Sequence, residues 1–140
     1  MMRTKRLILC ALLVGTLASK AAEPWKLYLY NKEERMELHI DLYEESIDVP
    51  NMEMFGPMNG YLGGGGVYGK WMVTSFNIKD DHVATLRVSN DLGSETQSIQ
   101  LTWLNDSTYA MDLQGGVVVK KVVNKKLAKV PAKVLMSVKQ

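Results

Sequence analysis

Cysteine is almost absent from this 140-residue chain, with Cys10 the single example. Cys10 sits inside an apolar run and follows Leu9, whereas a lipid-bearing cysteine would follow a small residue at the end of such a run. It is expected to leave with the segment around it. The remainder then has no cysteine, which excludes a disulfide framework, thiolate zinc sites and cysteine nucleophiles together. Histidine is nearly as scarce, with His39 and His82 alone. Serine-hydrolase signatures, His-Glu metalloprotease motifs and dinucleotide fingerprints are missing. No stretch has a convincing helical period, and there is no internal repeat. These absences leave few parts for a catalytic centre, so neither enzymatic activity nor a cofactor is expected.

What is present begins with the first 21 residues, MMRTKRLILCALLVGTLASKA. Arg3, Lys5 and Arg6 make a basic start, Leu7 to Ala18 an apolar middle, and Ser19 and Ala21 a small-residue cut site. A cut after Ala18 is the alternative. The apolar run of 12 residues is short for a membrane span, which needs roughly 20. The segment reads as a cleaved signal peptide, and the protein is expected to be exported, periplasmic or secreted.

Residues 22–140 are enough for one domain that buries roughly two-thirds of its unfolded surface. They hold no second apolar run long enough to span a membrane. The formal charge of the whole chain, +2, is misleading. Four of its 17 basic residues (Arg3, Lys5, Arg6 and Lys20) stand in the leader, and none of its 15 acidic residues does. The charge that remains is segregated. Residues 22–119 carry every acid against six basic residues, while residues 120–140 carry seven lysines and no acid. The lysine-rich segment is expected either to be a solvated final stretch, to pack on the acidic body, or to meet an anionic surface such as lipid headgroups or acidic glycans.

Period-two alternation dominates. Leu38, Ile40 and Leu42 alternate with Glu37, His39 and Asp41, as do Ile99, Leu101 and Trp103 with Ser98, Gln100 and Thr102. Tyr109, Met111 and Leu113 repeat the pattern, and so do Val134, Met136 and Val138. Between Trp71 and Ile78 it is mixed, with Met72, Phe76 and Ile78 sharing parity. Lys79-Asp80-Asp81, Asn90-Asp91-Leu92-Gly93, Asn105-Asp106-Ser107 and Gly115-Gly116 supply turn chemistry. Strands are expected at roughly 25–31, 36–43, 67–78, 82–89, 95–104, 108–113, 116–123 and 133–139, with a short one near 46–49. Lysine and alanine over 120–130 also permit a short helix, which Pro131 would end. The expected fold class is all-β: a single antiparallel up-and-down meander of about eight strands, closed as a barrel in preference to a two-sheet sandwich.

Several segments invite a functional reading. Gly64 to Lys70 fits the start of a phosphate-binding loop, but Trp71 and a strand follow where a hydroxyl and a helix are needed. The glycine-rich stretch 56–70 is better read as a flexible flap. Met52, Met54 and Met58 offer loop packing, an apolar binding surface or, less fittingly without a nearby histidine, a Cu(I) site. Asp41, Glu44, Glu45 and Asp48 resemble either paired catalytic carboxylates or a solvated turn, and they lack a calcium-loop spacing. Asn105-Asp106-Ser107 matches both a glycosylation acceptor and a hairpin turn. Trp25, Trp71 and Trp103 offer core packing, a barrel lining or a sugar-stacking face.

The leader, the meander and the opening strand Trp25-Lys26-Leu27-Tyr28-Leu29-Tyr30 resemble the small lipocalin-like barrels that bacteria export. Residues 95–121, ETQSIQLTWLNDSTYAMDLQGGVVVKK, are similar to the closing hairpins of those domains. The family's opening G-x-W is replaced here by Glu23-Pro24-Trp25. The resemblance implies an up-and-down barrel with a cavity for an apolar or amphipathic small molecule, no catalysis, and Trp25 closing one barrel end. Trp25, Met52, Met54, Phe55, Met58, Tyr61, Tyr68 and Trp71 are the expected ligand contacts, with the methionine segment and the glycine loop together at the mouth. The alternative is a cell-envelope structural or interaction protein with a filled core, using its lysine-rich segment or acidic body to contact a partner; on either reading a monomeric or weakly associating protein is expected. Neither a metal site nor nucleic-acid binding is expected.

Overall fold

The computed structural model describes residues 23–91 and 95–139. The leader with Cys10, and Leu92 and Gly93 of one expected turn, lie outside the described residues. Ten strands follow in order: β1 (Lys26–Asn31), β2 (Met36–Asp41), β3 (Gly60–Gly63), β4 (Trp71–Ile78), β5 (Val83–Asn90), β6 (Thr96–Asn105), β7 (Thr108–Gln114), β8 (Lys120–Val123), β9 (Lys126–Lys129) and β10 (Lys133–Val138). Eight of them close an antiparallel barrel in the order β1-β10-β7-β6-β5-β4-β3-β2, as the alternating pattern implies. Strands β8 and β9 form a separate hairpin between β7 and β10.

One barrel end, the lower, carries Trp25, the 42–59 loop and the β4–β5 and β6–β7 turns. The upper end carries the β1–β2 turn, residues 64–70 and the β8–β9 hairpin. The inward side chains form one contiguous buried cluster that runs from Trp25 to Trp71 and includes Leu29, Leu38, Ile40, Leu62, Leu101, Met111 and Met136. Val67, Val119 and Val130 extend this cluster from the upper loops. Alternation thus sorts the strands as expected, with inward residues apolar and outward ones polar or amphipathic.

Four expectations need correction. The strand expected at 116–123 is not a barrel strand. Val117 to Val119 pack as a cap over the upper end, and Lys120–Val123 turns away into the hairpin. The helix permitted over 120–130 is instead that hairpin. It reverses at Asn124 and Lys125, both with positive φ (52° and 66°), the geometry a two-residue turn requires. The eighth barrel strand comes from the stretch read as a flap, since Gly60–Gly63 is a fully buried strand beside β2. The expected strand near 46–49 reduces to one bridge between Ile47 and Met58.

Glycine permits this close approach. Gly60 has φ 153°, and a Cβ there would collide with the carbonyl oxygen of His39. At Gly66 a Cβ would collide with the carbonyl of Glu34, while the Gly66 N–H donates to Arg35 O at 2.8 Å. At Gly65 the nearest atom would be an Arg35 nitrogen at 3.7 Å, an ordinary contact. The four-glycine run therefore serves backbone packing against β2 and its turn.

The mixed pattern in β4 has a local cause. A register shift between Val73 and Ser75 marks a bulge against β5. Trp71 and Val73 face inward above it, and below it Phe76 and Ile78 stand opposite the inward Leu86 and Ala84. Only Tyr61↔Met72 and Leu62↔Trp71 join β3 to β4. Among the described residues, β4 below Val73 pairs with β5 alone.

The glycine assignments are directly testable. Gly66→Ala is expected to cost roughly 2 kcal/mol or more, because backbone must move, whereas Gly65→Ala stays within about 1 kcal/mol of the parent. Urea unfolding of the two variants would check this, and equal stabilities would return the run to the status of a loose flap.

Candidate functional site

The eight side chains expected to contact a ligand are dispersed by the fold. Trp25 is buried at the lower end, where its indole Nε1 donates to Asp80 O (3.1 Å) and its ring meets Tyr109 edge-on at 5.7 Å. Tyr109 Oη in turn donates to Pro24 O at 2.6 Å, and burial pushes its pKa up to about 12. Trp71 is buried at the opposite end, donating to Tyr68 O (3.4 Å). Tyr61 lies on the outer wall, and Tyr68 is exposed beside the hairpin. Met52, Met54, Phe55 and Met58 belong to the 42–59 loop at the lower end, so β3 separates the methionine segment from residues 64–70 of the glycine-rich stretch. Phe55 and Met58 border a shallow outer cleft of about 290 Å³ with Pro57, Val73 and Thr74.

The carboxylate cluster is a loop anchor. Asp41, 1% exposed, accepts hydrogen bonds from Ser46 Oγ (2.6 Å), Tyr43 N (3.1 Å) and Glu44 N (3.1 Å). Burial works to raise its pKa, but these three donors outweigh it and hold the carboxyl below its usual 3.8. Glu44, Glu45 and Asp48 point to solvent. No group of three histidine, cysteine or carboxylate side chains close enough to hold a metal occurs among the described residues. Asn105 sits in the β6–β7 turn, its Oδ1 accepting from Ser107 N and Oγ (3.0 and 2.9 Å).

A cleft of about 550 Å³ lies on the outer wall, at a place the sequence did not single out. Its floor is the outward face of β1 and the start of β2, with Tyr28, Tyr30 and Met36. Val138 and Lys139 close one side, Gly64 and Gly65 the upper edge, and Lys32 and Arg35 the β1–β2 turn. Asn31 fixes this corner, its side chain accepting from Glu34 N (2.7 Å) and donating to Leu135 O of β10 (2.8 Å). Arg35 adopts φ 53°, a conformation that holds the turn in place under Gly66.

A cross-strand ring ladder stiffens the floor. Lys139 Nζ lies 4.9 Å from the Tyr28 ring centroid, Tyr28 packs on His39 at 3.8 Å, and His39 stacks on Tyr61 at 4.8 Å and 8°. Glu37 accepts from Tyr28 Oη at 2.8 Å and lies 3.4 Å from His39 Nε2. Burial pushes the Glu37 carboxyl up, but the bonds from Tyr28 and His39 and the nearby charge of Lys70 hold it below its usual value. The same bond to Glu37, followed by burial, raises the Tyr28 pKa. The cleft therefore presents aromatic faces ringed by Lys32, Arg35 and Lys139 against the one carboxylate of Glu37.

Together these features define a closed eight-stranded antiparallel barrel with a filled interior and an aromatic, cation-rimmed cleft on its outside. Comparison with protein-family models, curated proteins and solved structures found no match for the chain.

The Asp41 contacts carry a pH dependence. A carboxyl whose pKa is lower folded than unfolded stabilises the fold above its unfolded value, and that contribution is lost as pH falls through the folded value. Asp41→Ala is expected to cost about 1–3 kcal/mol near neutral pH and to flatten the loss of stability below about pH 4. Thermal unfolding of parent and variant across that range would check it. A variant with the parent's acid limb would remove Asp41 from this role.

Proposed function

We propose that this is an exported, non-catalytic binding module that takes a small amphipathic anion in the outer-wall cleft. The observation that carries the reading is the cleft itself. Its 550 Å³ falls within the usual range for small-ligand sites, and it joins tyrosine faces to three cations on an otherwise acidic body. The ligand's apolar part would lie on Tyr30 and against the edge of Tyr28, and its acidic end would meet Lys32 and Arg35. The interior offers a poorer site, because its large inward side chains pack into one cluster between Trp25 and Trp71. Export rests on the basic, apolar and small-residue sequence of residues 1–21.

Anilinonaphthalene sulfonate has the required chemistry, an aromatic body with one sulfonate. Its fluorescence is expected to rise saturably with the folded protein. Affinity should fall about tenfold in Lys32→Glu and in Tyr30→Ala, and hold in Met54→Ser and in variants of the hairpin lysines. Saturable binding that ignores both cleft variants would place the ligand elsewhere, and no saturation would remove the cleft as a site.

A further inference from the structure

The β8–β9 hairpin stands apart from the barrel, and its surface is one a protein rarely leaves in water. Its register places Val122 opposite Leu127 and Lys120 opposite Lys129. Opposed residues share a face, so an apolar pair and a lysine pair lie together on one side. Val122 is 52% exposed, Leu127 54% and Val123 44%. Tyr68, whose N–H donates to Lys120 O at 2.8 Å, adds an exposed ring at the hairpin's base. Like charges directly opposed in a hairpin are destabilising unless something anionic lies between them. Within 120–129 there are five lysines and no acid, and among the described residues only Lys121 makes an ion pair, with Glu34 at 3.2 Å. The acidic body of the barrel therefore does not neutralise its own hairpin.

We propose that this hairpin docks the barrel on an anionic lipid surface, independently of the outer-wall cleft. Lys120, Lys125, Lys126 and Lys129 would meet the headgroup phosphates, while Val122 and Leu127 enter the acyl boundary and Tyr68 lies at the interface. An acidic polysaccharide would satisfy the lysines but would give the aliphatic pair nothing to enter. The acidic remainder of the domain is repelled from such a surface, so attraction centred on the hairpin, with Lys32 and Arg35 of the β1–β2 turn at the same end, also sets the orientation. The barrel would stand with its upper end toward the lipid and the Trp25 end away from it. The hairpin is held to the body by buried Val119 and Val130 and by the bond from Tyr68 N to Lys120 O, so its exposed residues can be changed without touching the core.

The test places a reporter at the hairpin itself, because residues 1–21 are also basic and then apolar. The full chain carrying Leu127→Trp is mixed with vesicles containing nitroxide-labelled lipid. Quenching of the new emission is expected with phosphatidylglycerol in the bilayer and not with phosphatidylcholine alone. Adding Lys125→Glu and Lys126→Glu should weaken the lipid dependence at least tenfold. Phe76→Trp, toward the lower end of β4, should show no quenching in the same vesicles. Circular dichroism confirms that each variant is folded. Absent quenching, equal quenching in both bilayers, or indifference to charge reversal would each overturn the proposal. So would a soluble acidic polysaccharide that binds the parent and the Leu127→Ser variant equally and displaces the vesicles, since that would assign the surface to glycans.

Discussion

Closure of the first strand on the last is the constraint on which the rest of this structure depends. Strand β1 pairs with β10 through Leu29↔Val138 and Tyr30↔Ser137, and Lys139 N–H donates to Tyr28 O at 2.9 Å. Without that seam, β1 and β10 would each present a bare edge, and the inward cluster would open along its length. The bond from Asn31 to Leu135 spans 104 positions of sequence, so the loop-closure entropy is met only when most of the chain is already ordered. Gln97 helps to hold that order. Its side chain, 2% exposed, donates to the carbonyls of Ser98, Gln114 and Gly116 and accepts from Val118 N. The segment after β7 is thereby turned across the barrel end, so that the chain can return as β10. The outer-wall cleft exists because of the same seam, since its floor is β1 and one of its sides is the end of β10.

Period two lets one strand serve two purposes. Leu27 and Leu29 of β1 face the cluster, while Tyr28 and Tyr30 between them face the cleft. Leu38 and Ile40 of β2 are likewise inward, and Glu37 and His39 support the ring ladder outside. A filled barrel and an exterior site are thus compatible with short strands. The interior supplies stability through apolar burial, and the outer wall is left to carry chemistry.

The barrel was legible because alternation in β2, β6, β7 and β10 is clean and the turns between strands are short. It failed where backbone contact, not side-chain pattern, decides the structure. Gly60–Gly63 offers one inward side chain, Leu62, and its strand character comes from proximity to β2, which no periodicity reports. Val117 to Val119 looked like a buried strand because a cap and a strand both need β-branched apolar residues. Asn124-Lys125 is a weak hairpin signal beside a composition that also suits a helix. The bulge in β4 reversed the parity read for Met72. Of the readings open to Trp25 and Trp71, core packing or ligand contact, their burial favours the core, and their placement at opposite ends depends on strand direction. The outer-wall cleft was hidden for a different reason. It gathers residues 28–37, 64–65 and 138–139, and only closure brings these three stretches together.

The short join between β3 and β4 gives the barrel an order of opening. Seven register pairs hold β4 to β5, and two hold it to β3. Rows this short, among which the two-pair β1–β10 seam also counts, part more readily than the seven-pair rows that join β4 to β5, β5 to β6 and β6 to β7. A gap between β3 and β4 exposes Leu62 and the half-covered Phe76. Such a gap opens the interior through the side wall, next to the lower half of β4, whose backbone pairs with β5 alone among the described residues.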